Sequence, residues 1–361
     1  MGAGAGSGRR ARCHTMRVVR RPRIALTALV MATSLTVVAT SAPAPAGELV
    51  LPPTTTAAER IVDDYNAKNT LNNATLSIEG QAAIETPPIK TIDDAVFREH
   101  MGRGETTLGD PFTVDEVEVF VPDQSSYPLV FLALETLTSP ELLDESTTQL
   151  LVFTQSGADE PWKVTLAASL LPDVETPRVA TDEHGLATLV TGKDAASLQV
   201  HPRKLATKLA RLWQRSAGGA AISKPFAPGL LTTQAVALFL GELEQLPVNE
   251  ASVDFTFEPS ESQPLCVAAP GSGALCFFVV SYRAVLDPVS GVFVQPPTRE
   301  ALTGLVVPGE YGSVTFDRIA IVLAEVPERS GLGRVDVIGV YNGLISAETS
   351  PRGVGAPDNA V

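Results

Sequence analysis

The spacing of apolar positions along the chain changes period twice. After Leu51-Pro52-Pro53, the run TTTAAERIVDDYNAKN carries Ala57, Ile61 and Tyr65 at helical spacing. Thr56 with Glu59 three residues later reads as a capping box at the start of that helix. A second short helix is predicted over 92–101. The period then drops to two. DEVEVFV (115–121) alternates acidic and apolar residues, and YPLVFLALETL (127–137), QLLVFTQ (149–155) and WKVTLAA (162–168) read as apolar strands. Two helices followed by an antiparallel meander make an α+β order.

The same order recurs downstream. HPRKLATKLARLWQRSAGG (201–219) predicts a helix with Pro202 in its first turn and glycines at its end. LTTQAVALFLGELEQL (231–246) predicts another. VDFTFE (253–258), ALCFFVVSYRAVL (274–286), SVTFDRIAIVLAEVP (313–327) and VDVIGVYNGLI (335–345) follow as strands. The recurrence predicts two tandem α+β lobes, 47–195 and 196–349. The likeness is of element order, since no residue-level repeat accompanies it. The tail 350–361 is expected to be disordered.

The N-terminal segment is built differently. Residues 1–23 hold seven arginines and no acidic residue, 24–40 is an uncharged apolar run, and SAPAPAGE sets Ala44 and Ala46 at the −3 and −1 positions of a small-residue cleavage site. That succession is the plan of a secretory signal spanning 1–46. An uncleaved anchor is the alternative, because the apolar run approaches the ~20 residues a membrane span needs. The chain is therefore expected to be secreted or at the cell surface, or else held in the membrane by this segment.

Removing the signal changes the charge balance. It leaves 20 basic residues against 41 acidic, a net −21. So acidic a surface repels phosphates and argues against a nucleic-acid partner.

Two cysteines lie beyond the signal, Cys266 and Cys276, on either side of Pro270-Gly271-Ser272-Gly273. A hairpin centred near Gly271 sets them opposite each other, at a Cα separation of about 4.5–5.5 Å that a disulfide can bridge. An oxidising compartment favours that bond. Reduced core thiols are the alternative. Without a matching histidine pair the two thiols make a poor zinc site.

YNAKNTLNNATLS after a capped helix, DPFTVDEVEVFVPDQSSYPLVFLAL, and LLVFTQSGADEPWKVTLAASLLPDVETP resemble an uncharacterised family of exported actinobacterial proteins and lipoproteins. The resemblance covers roughly 55–345 and is strongest over 111–190. It implies lobes similar to the NTF2-like or cystatin-like cone, a curved sheet wrapped on helices, and it brings no activity, ligand or catalytic residue. The modified cysteine of the lipoprotein members is missing here, since no cysteine stands at the end of the apolar run.

Common catalytic signatures are absent: G-x-S-x-G, H-E-x-x-H, and G-x-x-x-x-G-K-[ST] do not occur, nor does a G-x-G-x-x-G between strand and helix. Beyond the signal there are three histidines, His100, His184 and His201. Asp182-Glu183-His184 is the densest polar cluster and reads as a solvated turn before Gly185. Asp93, Asp94 and His100 sit on the helix that closes the pocket mouth in cone-shaped folds, and Tyr65 and Trp162 are placed to line the same concavity. By that resemblance they form a candidate acid–base set. The competing reading makes the aspartates helix-start residues and the aromatics core.

On the predicted helix 201–219, Lys204, Lys208, Arg211 and Arg215 fall within about 60° of one another, beside Leu205, Leu209, Leu212 and Trp213. This basic stripe suits an anionic surface. It suits equally an intrachain acidic partner or water. The expected function is an exported, non-catalytic binding or protein-interaction module, taking an envelope protein or a small apolar ligand and making peripheral contact with an anionic surface. The alternative is an enzyme with a cone-shaped pocket using Asp93, Asp94, His100 or Tyr65. No cofactor or metal is expected.

Overall fold

The computed structural model describes residues 50–109, 111–138, 146–218, 224–244, 251–288, 305 and 311–350. The signal segment 1–46 and the tail from 351 lie outside the described residues. Helix α1 (Thr55–Thr75) is capped by Thr54, whose hydroxyl accepts from the Ala57 N–H at 3.2 Å. The cap thus lies two residues ahead of Thr56. Leu76 ends the helix in the left-handed region, and Ser77 at once caps α2 (Ile78–Ile84). That helix has seven residues and a glycine, too short for a helical period to declare itself. Helix α3 (Ile89–Gly102) begins directly after Pro87-Pro88.

Strands β1 (Thr113–Phe120), β2 (Leu129–Thr138), β3 (Ser146–Gln155) and β4 (Lys163–Leu170) form the expected antiparallel meander. A short helix α4 (Gly192–Ser197) leads through a 3-10 turn at Pro202–Lys204 into α5 (Leu205–Ala217) and then α6 (Ala235–Glu244). Strands β5 (Ala251–Pro259), β6 (Leu265–Ala269), β7 (Gly273–Pro288), β8 (Ser313–Val326) and β9 (Asp336–Ser350) complete an α+β fold. The order across the sheet is β1-β2-β3-β4-β9-β8-β7-β5, with β6 sharing the β5 edge of β7. Between β6 and β7 the chain turns through Gly271 and Ser272, both at positive φ. A glycine meets that demand without a Cβ penalty. Cys266 and Cys276 are then directly paired across the hairpin, bonded, with their Cα atoms 4.1 Å apart.

The meander meets the second group of strands along a narrow seam. Only Ser169↔Val340 and Leu170↔Gly339 pair β4 with β9. A Cβ on Gly339 would lie 2.9 Å from the Ser169 carbonyl oxygen, so the close approach needs glycine. A strap over 180–190 ties the outer edges as well. The Ala187 N–H donates to Val121 O, while Ala268 N–H donates to Thr188 O and Val190 N–H to Cys266 O. The described residues belong to one compact unit, Leu49–Val361.

Strands β7 and β8 are covered on both faces. Phe278, Val280, Tyr282, Phe316 and Val322 pack under α5 and α6 with Trp213 and Phe239. Leu275, Phe277, Val279, Ile321 and Leu323 point the other way, into a core shared with the meander and α1–α3. Burial on both faces explains why these strands read as continuous apolar runs instead of alternating. Among the described residues no helix is long and apolar enough to cross a membrane.

Candidate functional site

Four elements bring polar side chains to one place. On α1, Tyr65 lies edge-on to Phe153, centroids 5.5 Å apart, and Phe153 stacks on Phe131 at 4.6 Å. The packing fixes the phenol, and its hydroxyl donates to Glu85 Oε1 at 3.0 Å. Glu85 follows α2 and is itself held by a backbone bridge to Val164 of β4. Asp93 sits near the start of α3, and Tyr341 of β9 donates its hydroxyl to Asp93 Oδ1. Gln81 links the parts. Its amide nitrogen donates to Asn69 Oδ1 at 3.1 Å and to Asp93 Oδ2 at 3.4 Å, and its oxygen accepts from Asn72 at 3.1 Å.

Tyr65, Asn69, Asp93 and Tyr341 of this cluster line a cavity of about 390 Å³, with Gln81 and Glu85 behind them. Its polar lining is Tyr65, Asn69, Thr70, Asn73, Asp93, Gln149 and Tyr341. Phe97, Leu108, Phe112 and Leu137 supply apolar surface. Glu135, buried on β2, lies behind Gln149 and accepts from it at 2.9 Å and from Asn66 at 2.6 Å.

Burial sets the electrostatics. It pushes Glu85 up to about 9, and the charge of neighbouring Asp93 adds to the effect. Burial raises Asp93 too, against the hydrogen bonds from Tyr341, Glu85 and Gln81 that favour its charged form. Tyr65 and Tyr341 are held well above the ordinary phenol range by burial, and nearby carboxylates push the same way, so both stay donors. Glu85 Oε2 is buried with no hydrogen-bond partner. A proton held on Glu85 and offered to Asp93 is the arrangement two neighbouring buried carboxyls adopt.

Of the residues singled out from sequence, the structure brings Tyr65 and Asp93 together and places the others elsewhere. Asp94 pairs with Lys90, and with Arg98 at 3.6 Å. His100 contacts Glu105 at 2.5 Å. Trp162 packs on Phe131, centroids 5.0 Å apart, and does not line the cavity. Asp182 accepts from the N–H groups of His184 and Leu186 at 2.8 and 2.9 Å, the hydrogen bonds of an exposed turn. Sequence reasoning passed over Gln81, Glu85 and Tyr341. The first two are polar residues one helical turn apart around the apolar run Ala82-Ala83-Ile84, a signal that was available.

Residues 52–349 match the family described as Domain of unknown function (DUF8094). The chain belongs to that family. No curated protein and no solved structure matches it. The DUF8094 match runs from before α1 almost to the end of β9, so the cavity, the seam and the disulfide all lie inside it.

On the opposite side of the DUF8094 fold, α5 spends its apolar arc on the core through Leu205, Leu209, Leu212 and Trp213. Lys204, Arg211 and Arg215 are exposed and Lys208 half-buried. Among the described residues none of the four makes an ion pair within 4 Å. With its apolar face already covered, this helix can meet a partner by charge but cannot insert into a bilayer by that face.

Proposed function

We propose that this is a non-catalytic binding module working outside the cytoplasm, secreted or at the cell surface, with a small ligand held in the cavity between α1, α3 and the sheet. The observation that carries the reading is the convergence of two phenols, a carboxylate, three amides and the Thr70 hydroxyl on a cavity also lined by Phe97, Leu108, Phe112 and Leu137. Ligand sites are built this way, with a few placed polar groups in a largely apolar recess. Export is supported by the basic, apolar and small-residue succession of the first 46 residues, and by the crosslinked hairpin, which suits an oxidising compartment. The retained-anchor alternative leaves the same domain outside the membrane. The resemblance to exported actinobacterial proteins and to cone-like lobes belongs to this proposal, with the basic stripe of α5 as a peripheral contact for an anionic surface.

An acid–base enzyme is the second reading. Glu85 beside Asp93, one holding a proton near a cavity, is the observation in its favour. It would use Asp93 and Tyr65 with Glu85, without Asp94 or His100.

The test is direct. Protein purified from its native source is denatured and its small-molecule content compared with that of the Ala74→Trp variant, in which an exposed α1 residue at the cavity wall gains an indole. A compound released from the native protein and missing from the variant is expected. Absence of any retained compound, together with no thermal shift across a chemical library, overturns the binding reading. Turnover of a bound compound that is lost in Asp93→Asn selects the enzyme.

A further inference from the structure

Behind the polar wall of the cavity lies a carboxyl pair that needs one shared proton. Glu85 and Asp93 present four carboxyl oxygens, and the donors that reach them are the Tyr65 hydroxyl, the Tyr341 hydroxyl and the Gln81 amide. Glu85 is 1% exposed and its Oε2 receives nothing. The proton that Glu85 holds toward Asp93 fills that gap, which leaves one negative charge, on Asp93, with no cation beside it.

Among the described residues lining the cavity, Asp93 is the one with a formal charge. No lysine, arginine or histidine stands on that wall to balance it. A bound anion would therefore meet repulsion and acceptors. A cation would meet a carboxylate flanked by two phenols, which offer oxygen acceptors and ring faces. Beyond the polar end, Phe97, Leu108 and Phe112 present apolar surface suited to a hydrocarbon or aromatic body.

We propose, building on the reading of the cavity as a small-ligand site, that its ligand is a protonated amine on a compact apolar body, the ammonium seated at Asp93 between Tyr65 and Tyr341. The ammonium supplies the missing positive charge. Glu85 keeps its proton toward Asp93, and the ammonium faces a single carboxylate. The titratable groups facing Asp93 are Glu85 beyond α2, Tyr65 on α1 and Tyr341 on β9, with Asp94 adding charge from α3 while held by Lys90 and Arg98. The cavity's volume of about 390 Å³ sits at the small end of ligand sites, so the body is a ring or short chain.

The test uses three probes of one skeleton and different charge: 2-phenylethylamine, 2-phenylethanol and phenylacetate. Each is titrated calorimetrically into the protein purified with its disulfide intact, at neutral pH, in two buffers of unlike ionisation enthalpy. The amine is expected to bind at least about tenfold more tightly than the alcohol. Phenylacetate is expected to give no heat, and the amine's heat should be the same in both buffers because no proton is released. Asp93→Asn should weaken the amine by a similar factor and so remove most of its advantage over the alcohol. If that variant does not fold, Tyr341→Phe and the wild-type probe series still decide the matter. Equal or tighter binding of the alcohol or the acid overturns the amine while leaving the cavity a ligand site. Failure of all three at millimolar concentration also overturns the amine. The binding reading is judged separately, by the retained compound and its loss in Ala74→Trp.

Discussion

Tyr341 donates its hydroxyl to Asp93 across 248 residues of chain, joining β9 to α3. Two residues along the same strand, Gly343 receives Ile92 of α3 directly against its backbone. The two contacts act together. The bare backbone at Gly343 lets α3 lie close enough for the Asp93 carboxyl to reach the phenol.

Gly343→Ala should therefore destabilise the fold. The added Cβ would lie 2.2 Å from Ile92 Cγ2, so the helix or the side chain must move. Overpacking of this kind costs about 1–3 kcal/mol. Urea denaturation should show a lower midpoint, with part of the loss recovered in Gly343→Ala/Ile92→Ala. A midpoint unchanged by Gly343→Ala would mean that α3 is not seated on β9 as described.

Glu85 sets a pH dependence whose sign can be worked out. Its folded pKa of about 9 lies above the ordinary value of 4.5. Below 4.5 both folded and unfolded chains hold the proton and the contribution is fully present. As pH rises from there the unfolded chain releases the proton first, so stability falls until the folded group titrates near 9. Glu85→Gln keeps a donor toward Asp93 and removes this titration. Its stability should vary less between pH 5 and 9, with a gain of a few kcal/mol over wild type at the alkaline end. Parallel stability curves for the two proteins across that range would refute the buried, protonated Glu85.

The β6–β7 hairpin should be closed in native protein. Thiol labelling without reductant is expected to find neither Cys266 nor Cys276, and labelling of both would overturn the bond. The crosslink spans a separation of 10 residues. Replacing both cysteines by alanine should cost at most about 2–3 kcal/mol on the chain-entropy account.

The seam at Gly339 tests whether the chain is made of two lobes. In Gly339→Val a side chain is forced against the Ser169 carbonyl where β4 meets β9. Calorimetry of this variant should show one melting transition, lowered in temperature, because β7 and β8 share a core with the meander and α1–α3. Division of the melt into two would instead mark 47–195 and 196–349 as separable lobes.

Reversing Lys204, Lys208, Arg211 and Arg215 to glutamate should leave the fold intact, because these residues point away from the core and break no ion pair among the described residues. Sedimentation with vesicles rich in anionic lipid should fall sharply relative to wild type. Unchanged sedimentation would remove α5 as the anionic contact.

Much of the secondary structure was legible in the sequence because its signals are local. Periods of 3.6 and 2 marked α1, α3, α5, α6 and the strands to within a few residues, and the Pro-Gly-Ser-Gly turn set Cys266 opposite Cys276. The cap at Thr54 and the short helix α2 were missed. Thr54, Thr55 and Thr56 offer the same hydroxyl chemistry in succession, and seven residues are too few to display a period.

For the site, residue type and helix position were enough to pick out Tyr65 and Asp93. They could not separate Asp93 from Asp94, which are neighbours in sequence and face different surroundings on α3: one meets Gln81 and Tyr341, the other Lys90 and Arg98. Only the tertiary structure decided that Glu85 is buried beside Asp93, and that a tyrosine from β9 completes the wall. A side chain's chemistry is written in its residue type, but its proton affinity and partners depend on which distant groups exclude water from it. That exclusion arises only when the β4–β9 seam and the seating of Ile92 on Gly343 bring the ends of the chain together.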